Sequence, residues 1–223
     1  MRHRLAVMTV FVCVALCLTG STSSAQFPRR GGVGQGIGSD PDYWVGLEYG
    51  YQGGMTVFDG ATESEWDFGY TSQIRATFAK TIARGVAVGI AAAFSQPSLT
   101  YYPGFSGSGC DPTFGCTAKA DVTQYLVFLQ GGTGLGLHLV YTIDAGITQI
   151  GNFRDEFGDP LPPTSTANDF SFGLGGGAGY GINKTMDAYI AENADLVLHS
   201  QGGTVQQNAP HIFTLRLGFR AGF

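Results

Sequence analysis

Residues 135–148 read Leu-Gly-Leu-His-Leu-Val-Tyr-Thr-Ile-Asp-Ala-Gly-Ile-Thr. Apolar residues occupy every odd-numbered position, whereas the even-numbered positions are mostly Gly or polar. Side chains of a β-strand point alternately to opposite faces, so this alternation predicts a strand with one apolar face. The run is longer than the roughly 5–6 residues usual for a soluble strand, and it suits a tilted strand that crosses a bilayer in roughly 9–11 residues.

Seven further runs show the same alternation, and we predict strands at 43–52, 70–79, 86–95, about 121–130, 170–182, about 186–198 and 213–223. The run at 121–130 is apolar on both faces near its end, and we favour Tyr125, Val127 and Leu129 as its apolar face. Glu192 interrupts the apolar face of the run at 186–198, which predicts a bulge or a change of register there.

The segments between these runs alternate in length. Short turns are expected at 80–85, 131–134 and 183–185, and long polar loops at 53–69, 96–120, 151–169 and 199–210. Short turns at one end and long loops at the other are typical of a transmembrane barrel. The sequence therefore predicts an all-β fold, an eight-stranded antiparallel up-and-down transmembrane β-barrel.

The chemistry of the two faces favours a membrane over a soluble barrel such as a lipocalin. Charged residues are only 13% of the chain and Gly residues number 35. The polar face is therefore mostly Gly, Ala, Ser and Thr, which would coat a soluble protein poorly but would suit a narrow interior. The opposite face is aliphatic, with Tyr and Phe near the strand ends, as in a lipid-facing band. A net charge of −5 and a pI near 5.2 argue against a nucleic-acid partner.

The first 25 residues have the features of a secretory signal peptide. Arg2 and Arg4 precede an apolar run that is too short for an ordinary membrane helix. Small residues at 23–25 then form a cleavage site, and we predict cleavage after Ala25. Residues 26–41 follow as a flexible lead-in, and the barrel is predicted over 42–223. After removal of the signal, Cys110 and Cys116 are the remaining cysteines, and in an exported chain this close pair predicts a disulfide bond.

The signal, the eight runs and the ending Leu-Arg-Leu-Gly-Phe-Arg-Ala-Gly-Phe at 215–223 resemble the small OmpA- and OmpX-like outer-membrane barrels. The resemblance implies a multi-pass protein of the bacterial outer membrane, in contact with membrane lipid and lipopolysaccharide. It also implies that Phe219 and the final Phe223 belong to a signal read by the outer-membrane assembly machinery. It implies no cofactor, and it identifies no extracellular partner.

Three charged residues are predicted to meet inside the barrel. Glu48, Arg75 and Arg216 all fall on the inward face near the middle of their strands. The first two strands form a hairpin, and the first and last strands must pair to close the barrel. A carboxylate between two guanidinium groups satisfies their donors in a space with little water.

Other motifs are given structural interpretations. The G-x-G-x-x-A pattern at 173–178 continues a strand and lacks the strand–turn–helix context of a dinucleotide site. His199 and Ser200 suggest a rim catalytic pair, but as strand neighbours they would face opposite sides, so a solvated loop is preferred. His138 is interpreted as a hydrogen-bonded interior residue rather than a metal ligand. The acidic residues of two loops are interpreted as solvated, with cation binding as the alternative, and they are Asp59, Glu63, Glu65, Asp67, Asp155, Glu156 and Asp159.

Three functions are compatible with the sequence. The first is a structural or interaction barrel without enzymatic activity, largely closed inside, that presents four extracellular loops. The second is a narrow, low-conductance pore, because the Gly-rich strand at 170–182 leaves interior space. The third is a lipid-modifying outer-membrane enzyme.

Overall fold

The computed structural model describes residues 41–104, 110–163, 166–199 and 210–223. The predicted signal peptide and all but the last residue of the predicted lead-in lie outside these residues. Eleven strands are formed: β1 (Tyr43–Gln52), β2 (Met55–Asp59), β3 (Ser64–Phe68), β4 (Thr71–Ala83), β5 (Val86–Ser95), β6 (Ser98–Tyr102), β7 (Cys116–Gly131), β8 (Gly136–Asp155), β9 (Ala167–Asn183), β10 (Met186–Leu198) and β11 (His211–Gly222). Within the described residues, no helix has the length and apolarity needed to cross a membrane.

Eight of these strands close into an antiparallel barrel. The order around the wall is β1, β4, β5, β7, β8, β9, β10 and β11, with β11 paired back to β1. At the seam the Tyr43 amide donates to the Phe223 carbonyl at 3.1 Å, and the Phe223 amide donates to the Tyr43 carbonyl at 2.9 Å. Closure satisfies the wall's backbone groups without a free edge, as a membrane requires. The predicted eight-stranded barrel is confirmed.

Strands β2, β3 and β6 extend the sheet beyond the barrel at the long-loop end. The β2–β3 hairpin pairs through β3 with β6, and β6 pairs with the first residues of β7. The segments at 53–69 and 96–120, predicted as long polar loops, are therefore partly β-strand. These segments also alternate, and one face of each strand is apolar and buried, so they form a sheet: Met55, Val57, Trp66, Phe68, Leu99 and Tyr101.

Several wall strands are longer than the sequence predicted. The strand expected at 121–130 is β7, which begins already at Cys116. The strand expected at 135–148 is β8, which continues to Asp155. Both extensions lie beyond the barrel, where Ala118 pairs with Asp155. We call β2, β3, β6 and these extensions of β7 and β8 the outer sheet. The predicted bulge at Glu192 is wrong, because β10 keeps its register there and Glu192 stays on the outward face opposite Leu215 and Gly176.

The outward face of the barrel is apolar. Leu47, Val127 and Leu217 are each about 60% exposed, at 61%, 59% and 64%. Tyr43 stacks on Phe78 and on Phe223 at the short-turn end, while Tyr51 stacks on Tyr70 at the long-loop end. An aliphatic band between aromatic girdles is the surface that a bilayer covers. The inward face carries the buried polar residues, as the alternation predicted, and Tyr125 and Val127 face outward as favoured.

Candidate functional site: the barrel interior

Glu48, Arg75 and Arg216 lie together at mid-height inside the barrel. Glu48 is directly opposite Arg75 in the β1–β4 pairing, and Arg216 comes from β11 on the other side of β1. One carboxylate oxygen, Oε2 of Glu48, lies 3.2 Å from Arg216 Nη1 and 3.8 Å from Arg75 Nη1. All three side chains are buried. The structure therefore brings together the three residues that were predicted to meet because each lies near the middle of its strand.

Further residues complete this central cluster. The Tyr189 hydroxyl donates to Glu48 Oε1 at 2.8 Å. Arg75 Nη2 lies 3.7 Å from Asp144 Oδ2, which also accepts a hydrogen bond from Asn193 Nδ2 at 3.2 Å. Asp144 is on β8, three strands away from β4 around the wall, so this contact crosses the lumen. Sequence reasoning had placed Asp144 inside the barrel but had missed its contact with Arg75.

A second cluster closes the short-turn end. Arg220 Nε donates to Asp187 Oδ2 at 2.8 Å, and its Nη2 donates to the Gly132 carbonyl at 2.5 Å. Gly132 follows β7, on the opposite side of the barrel from β11, so Arg220 also spans the lumen. The guanidinium lies over the rings of Trp44 and Tyr189, at 5.4 and 5.2 Å from the ring centroids. This planar packing suits Arg better than Lys.

His138 belongs to the same cluster. Its Nε2 lies 3.2 Å from Asp187 Oδ2, and its Nδ1 lies 3.0 Å from the Gly136 carbonyl. The interior hydrogen-bonding role expected from the sequence agrees with these contacts. Among the described residues, no group of three or more His, Cys, Asp or Glu side chains is arranged to hold a metal ion.

Glycines of β9 make room for the interior polar groups. A Cβ atom added at Gly173 would overlap the carboxylates of Asp144 and Asp195, and one added at Gly175 would overlap the side-chain amide of Asn193. The G-x-G-x-x-A stretch at 173–178 thus lies within a strand, where its inward glycines allow close packing.

Toward the long-loop end, a belt of amides and hydroxyls follows five neighbouring strands. Gln73 Nε2 donates to Gln52 Oε1 at 3.3 Å and to Gln124 Oε1 at 3.1 Å. Ser95 Oγ donates to Gln52 Oε1 at 3.0 Å, and Gln124 Nε2 donates to Thr148 Oγ1 at 3.3 Å. All five side chains are buried, and the shared hydrogen bonds offset the cost of removing them from water.

Above this belt the interior becomes apolar. We call this region the outer core, and it combines the inward faces of β7, β8, β10 and β11 with those of the outer strands. Its members are Met55, Val57, Trp66, Phe68, Leu99, Tyr101, Ala118, Ala120, Val122, Ile150, Phe153, Leu161, Val197 and Ile212. Trp66 is its largest fully buried side chain, and its ring centroid lies 4.5 Å from that of Phe153.

His199 lies at the edge of the outer core, between two carboxylates. Its Nδ1 is 2.8 Å from Asp169 Oδ2 on β9, and its Nε2 is 3.5 Å from Asp59 Oδ1 on β2. Its side chain is only 2% exposed, so the predicted solvated position is wrong. Burial lowers the pKa of His199, but the hydrogen bond and charge of Asp169, together with Asp59, outweigh it and raise the pKa. Ser200, the other half of the suspected catalytic pair, lies outside the described residues.

Asp59 is also held by the hairpin turn. It accepts hydrogen bonds from the Thr62 amide at 3.2 Å and from the Thr62 hydroxyl at 2.5 Å. Ser64 Oγ lies 2.6 Å from the Thr62 hydroxyl and accepts from Trp66 Nε1 at 2.8 Å. Burial raises the pKa of the nearby Tyr101 phenol, which also interacts with Ser64. Asp59 is therefore buried, and the prediction that its side chain is solvated is wrong.

The remaining predicted site residues lie at the two ends of the molecule. Cys110 and Cys116 are joined by a disulfide bond that closes a small loop just before β7. Asp111 Oδ1 within that loop accepts from the amides of Thr113 and Phe114. Phe219 and Phe223 lie on the lipid-facing side at the short-turn end, 42% and 68% exposed.

A lipid-facing apolar band around a polar interior filled by side chains is the design of outer-membrane β-barrels. This chain has the fold of that class, an eight-stranded barrel with an apolar outer band and a polar interior. The closed ring of eight strands fits the OmpA- and OmpX-like architecture that the sequence resembles.

The comparisons with solved structures concern the fold alone. The chain is similar to Neisserial surface protein A, at 9% identity and a TM-score of 0.49, over 83% of this chain and 100% of that one. It is similar to outer membrane protein OprG from Pseudomonas aeruginosa, at 14% identity and a TM-score of 0.48, over 83% and 98%. It is also similar to outer membrane protease OmpT from Escherichia coli, at 10% identity and a TM-score of 0.45, over 82% and 97%. Neither a protein-family model nor a curated protein sequence matches the chain.

Proposed function

We propose that this protein is a non-enzymatic barrel that anchors in the outer membrane and presents its outer sheet and four extracellular loops for interaction. The observation that carries the proposal is that side chains bridge the lumen at successive levels. Arg220 reaches the Gly132 carbonyl at the short-turn end, and Arg75 reaches Asp144 at mid-height. Above them, the outer core joins residues from both sides of the wall.

The dimensions of the barrel support a closed interior. A wall of eight strands leaves an interior just wide enough for side chains to fill. Here those side chains include two ion-paired Arg residues, Arg75 and Arg216, held against Glu48 at mid-height. To admit a solute, the barrel would have to separate these buried charges and then open an apolar core. Both steps are costly, because a separated buried charge loses several kcal/mol of compensation, roughly 3–5 for a broken pair.

Uptake by liposomes tests the closed interior. Vesicles containing the purified protein are diluted into an isotonic solution of a small sugar, and swelling is followed by light scattering. Swelling no faster than that of protein-free vesicles is expected. A porin reconstituted at the same protein-to-lipid ratio is the positive control, and swelling at a comparable rate would contradict the proposal.

The proposed partners are membrane lipid, lipopolysaccharide and the outer-membrane assembly machinery. Phe219 on β11 and Phe223 directly after β11 present their rings outward, where the assembly machinery would read them. Loss of Phe223 removes burial worth at most about 1.5–3 kcal/mol, so a large drop in outer-membrane level would reflect recognition rather than stability. Normal outer-membrane levels of a chain lacking Phe223 would contradict this role.

A narrow, low-conductance pore is the second candidate. A small cavity favours it, lined at mid-height by Glu48, Arg75, Phe128, Gln130, Thr142, Tyr189, Ala191, Asn193 and Arg216. This cavity lies beside the central cluster, against inward side chains of β7, β8 and β10, and water in it would be a step in a conducting path. The pore candidate requires the Arg220 cluster and the outer core to open as well.

A lipid-modifying enzyme is the third candidate, and the surroundings of His199 do not favour it. Both ring nitrogens of His199 face carboxylates, and the ring is buried against Trp66 at 5.3 Å between centroids. A general base must instead reach a nucleophile and a substrate. Mass spectrometry of lipid A from cells with and without the protein should show identical species, and a new acylation pattern would overturn the non-enzymatic assignment.

A further inference from the structure

The β2–β3 hairpin is attached to the barrel by few strand contacts. Among the described strands, β2 lies at the end of the order and pairs with β3 alone, and β3 pairs with β6 over Glu65–Phe68. Its buried face belongs to the outer core and includes Val57 and Trp66. An element with few neighbours and a short pairing register belongs to the least stable part of a fold. Contacts from its side chains therefore decide whether the hairpin stays closed on the barrel mouth.

His199 supplies such a contact from the barrel wall. The imidazole lies between Asp169 of β9 and Asp59 at the end of β2, so it links the wall to the hairpin. Trp66 of β3 packs edge-on against the same ring, with 5.3 Å between centroids. Asp59 is in turn fixed to the hairpin turn through Thr62. One titratable ring thus contacts both strands of the hairpin.

We propose that His199 is a proton-operated lock that holds the β2–β3 hairpin closed over the mouth of the barrel. When protonated, the ring can donate from both nitrogens, one to each carboxylate. When neutral, it has one N–H, so one carboxylate faces a lone pair and the attraction between wall and hairpin is lost. The hairpin is then held by its apolar contacts alone, so it opens more often and exposes the apolar face beneath it more often.

The groups that face the ring determine the direction of the effect. The ring lies between the carboxylates of Asp59 on β2 and Asp169 on β9, and β3 contributes the uncharged ring of Trp66. Tyr101 on β6 adjoins Asp59, and burial raises the pKa of its phenol, so it stays neutral in this range. The two carboxylates raise the pKa of His199 above its ordinary value, so the lock is complete below about pH 6.5 and is lost as the pH rises through the raised pKa.

Hydrogen exchange tests this lock in the full-length protein purified from the cell envelope and placed in lipid nanodiscs. Protection factors are measured from pH 5 to 9, since they remove the intrinsic pH dependence of exchange. Protection of the β2–β3 amides should fall by up to about tenfold for each unit by which folding raises the pKa of His199. Protection in β1 and β11 should not change.

Fluorescence gives an independent readout. Trp44 and Trp66 are the two Trp residues of the chain, and a Trp44→Phe variant leaves Trp66 as the single reporter beside the ring. A protonated imidazole in contact with indole quenches its emission. Trp66 emission should therefore rise with pH, with a midpoint above 6.5, the ordinary His value.

Three variants separate the lock from other titrations. His199→Gln should show low, pH-independent protection of the hairpin, and Asp59→Asn should move the midpoint downward while the ring is kept. His211→Gln is the matched control, because His211 is exposed on β11. Hairpin protection that is independent of pH in the native chain, or a pH profile that persists in His199→Gln, would overturn the proposal. Neither readout measures transport, so the result is independent of whether the interior conducts.

Discussion

The two ends of β8 lie in the same sheet but bury opposite kinds of side chain. In the membrane-spanning part, Leu139 is 70% exposed on the outward face, whereas Asp144 is buried inside. Beyond it, Ile150 and Phe153 are buried and Arg154 is exposed. The inward face thus changes from polar to apolar along a single strand.

The difference follows from what surrounds each part. Lipid covers the outward face of the barrel, so apolar groups gain nothing by facing inward, and the interior can hold polar groups that satisfy one another. The outer sheet is surrounded by water, so burying Trp66, Ile150 and Phe153 is favourable by roughly 25 cal/mol for each Å² of apolar area. The barrel interior is therefore held by ion pairs and hydrogen bonds, whereas the outer core is held by apolar burial. Variants in the two regions should fail in different ways.

The largest effect is expected from removing the central carboxylate. Glu48→Gln leaves Arg75 and Arg216 as neighbouring buried cations, with Asp144 still beside Arg75. We expect a loss of about 3–5 kcal/mol of stability if the site is dry. The heat-unfolding midpoint on cold and heated gels measures it for the whole barrel. Glu65→Gln, at an exposed position of the hairpin, is the control, and an unchanged midpoint for Glu48→Gln would contradict the polar account of the interior.

A smaller and more local effect is expected in the outer core. Trp66→Ala removes its largest fully buried side chain and should cost about 3 kcal/mol. The loss should appear as faster hydrogen exchange in β2, β3 and β6, while exchange in β1 and β11 is unchanged. Phe114→Ala is the control because Phe114 is 80% exposed. Loss of protection throughout the barrel would show that the two regions unfold as one unit.

Loss of the disulfide bond should reduce stability by less than the Trp66 substitution does. Replacing Cys110 and Cys116 by Ser opens a loop of sequence separation 6, which should cost about 2 kcal/mol by chain entropy. Because the loop lies in the outer sheet, the barrel's unfolding midpoint should not move, while protease cleavage near residue 110 should increase. Mass spectrometry of the unreduced native protein provides the reference state, and two free thiols there would contradict the bond.

Glu192 gives the smallest effect, with the opposite sign. Its side chain points outward at mid-strand, opposite Leu215 and Gly176, into the lipid-facing band. A carboxyl there is unfavourable by less than the roughly 2–4 kcal/mol measured for Arg or Lys. Glu192→Leu should therefore raise the stability by about 1 kcal/mol, measured by urea titration in lipid vesicles. A loss of stability would indicate that Glu192 has a partner in the membrane.

The sequence predicted the features that depend on neighbouring strands. Glu48 and Arg75 could be matched because β1 and β4 are successive wall strands and each residue lies near the middle of its own strand. The contact between Arg75 and Asp144 could not be predicted, because it crosses the lumen and depends on the stagger of the closed sheet.

The outer site was beyond sequence reasoning for a related reason. Asp59, Asp169 and His199 come from three distant segments that meet only when the hairpin folds over the barrel mouth. The hairpin itself was missed because charged residues alternate with its buried apolar ones, so the segment looked like a polar loop. Alternation at Met55–Asp59 and Ser64–Phe68 was the available signal.

Conductance of single molecules in planar lipid bilayers tests the closed barrel most directly. The native protein, with the Arg220, Arg75 and outer-core contacts intact, should insert without discrete current steps at moderate voltage. Glu48→Gln should also give no steps, because the Arg220 cluster and the outer core still close the lumen on either side of the central cluster. Stable ohmic openings of the native protein would contradict the account and establish the narrow pore in its place.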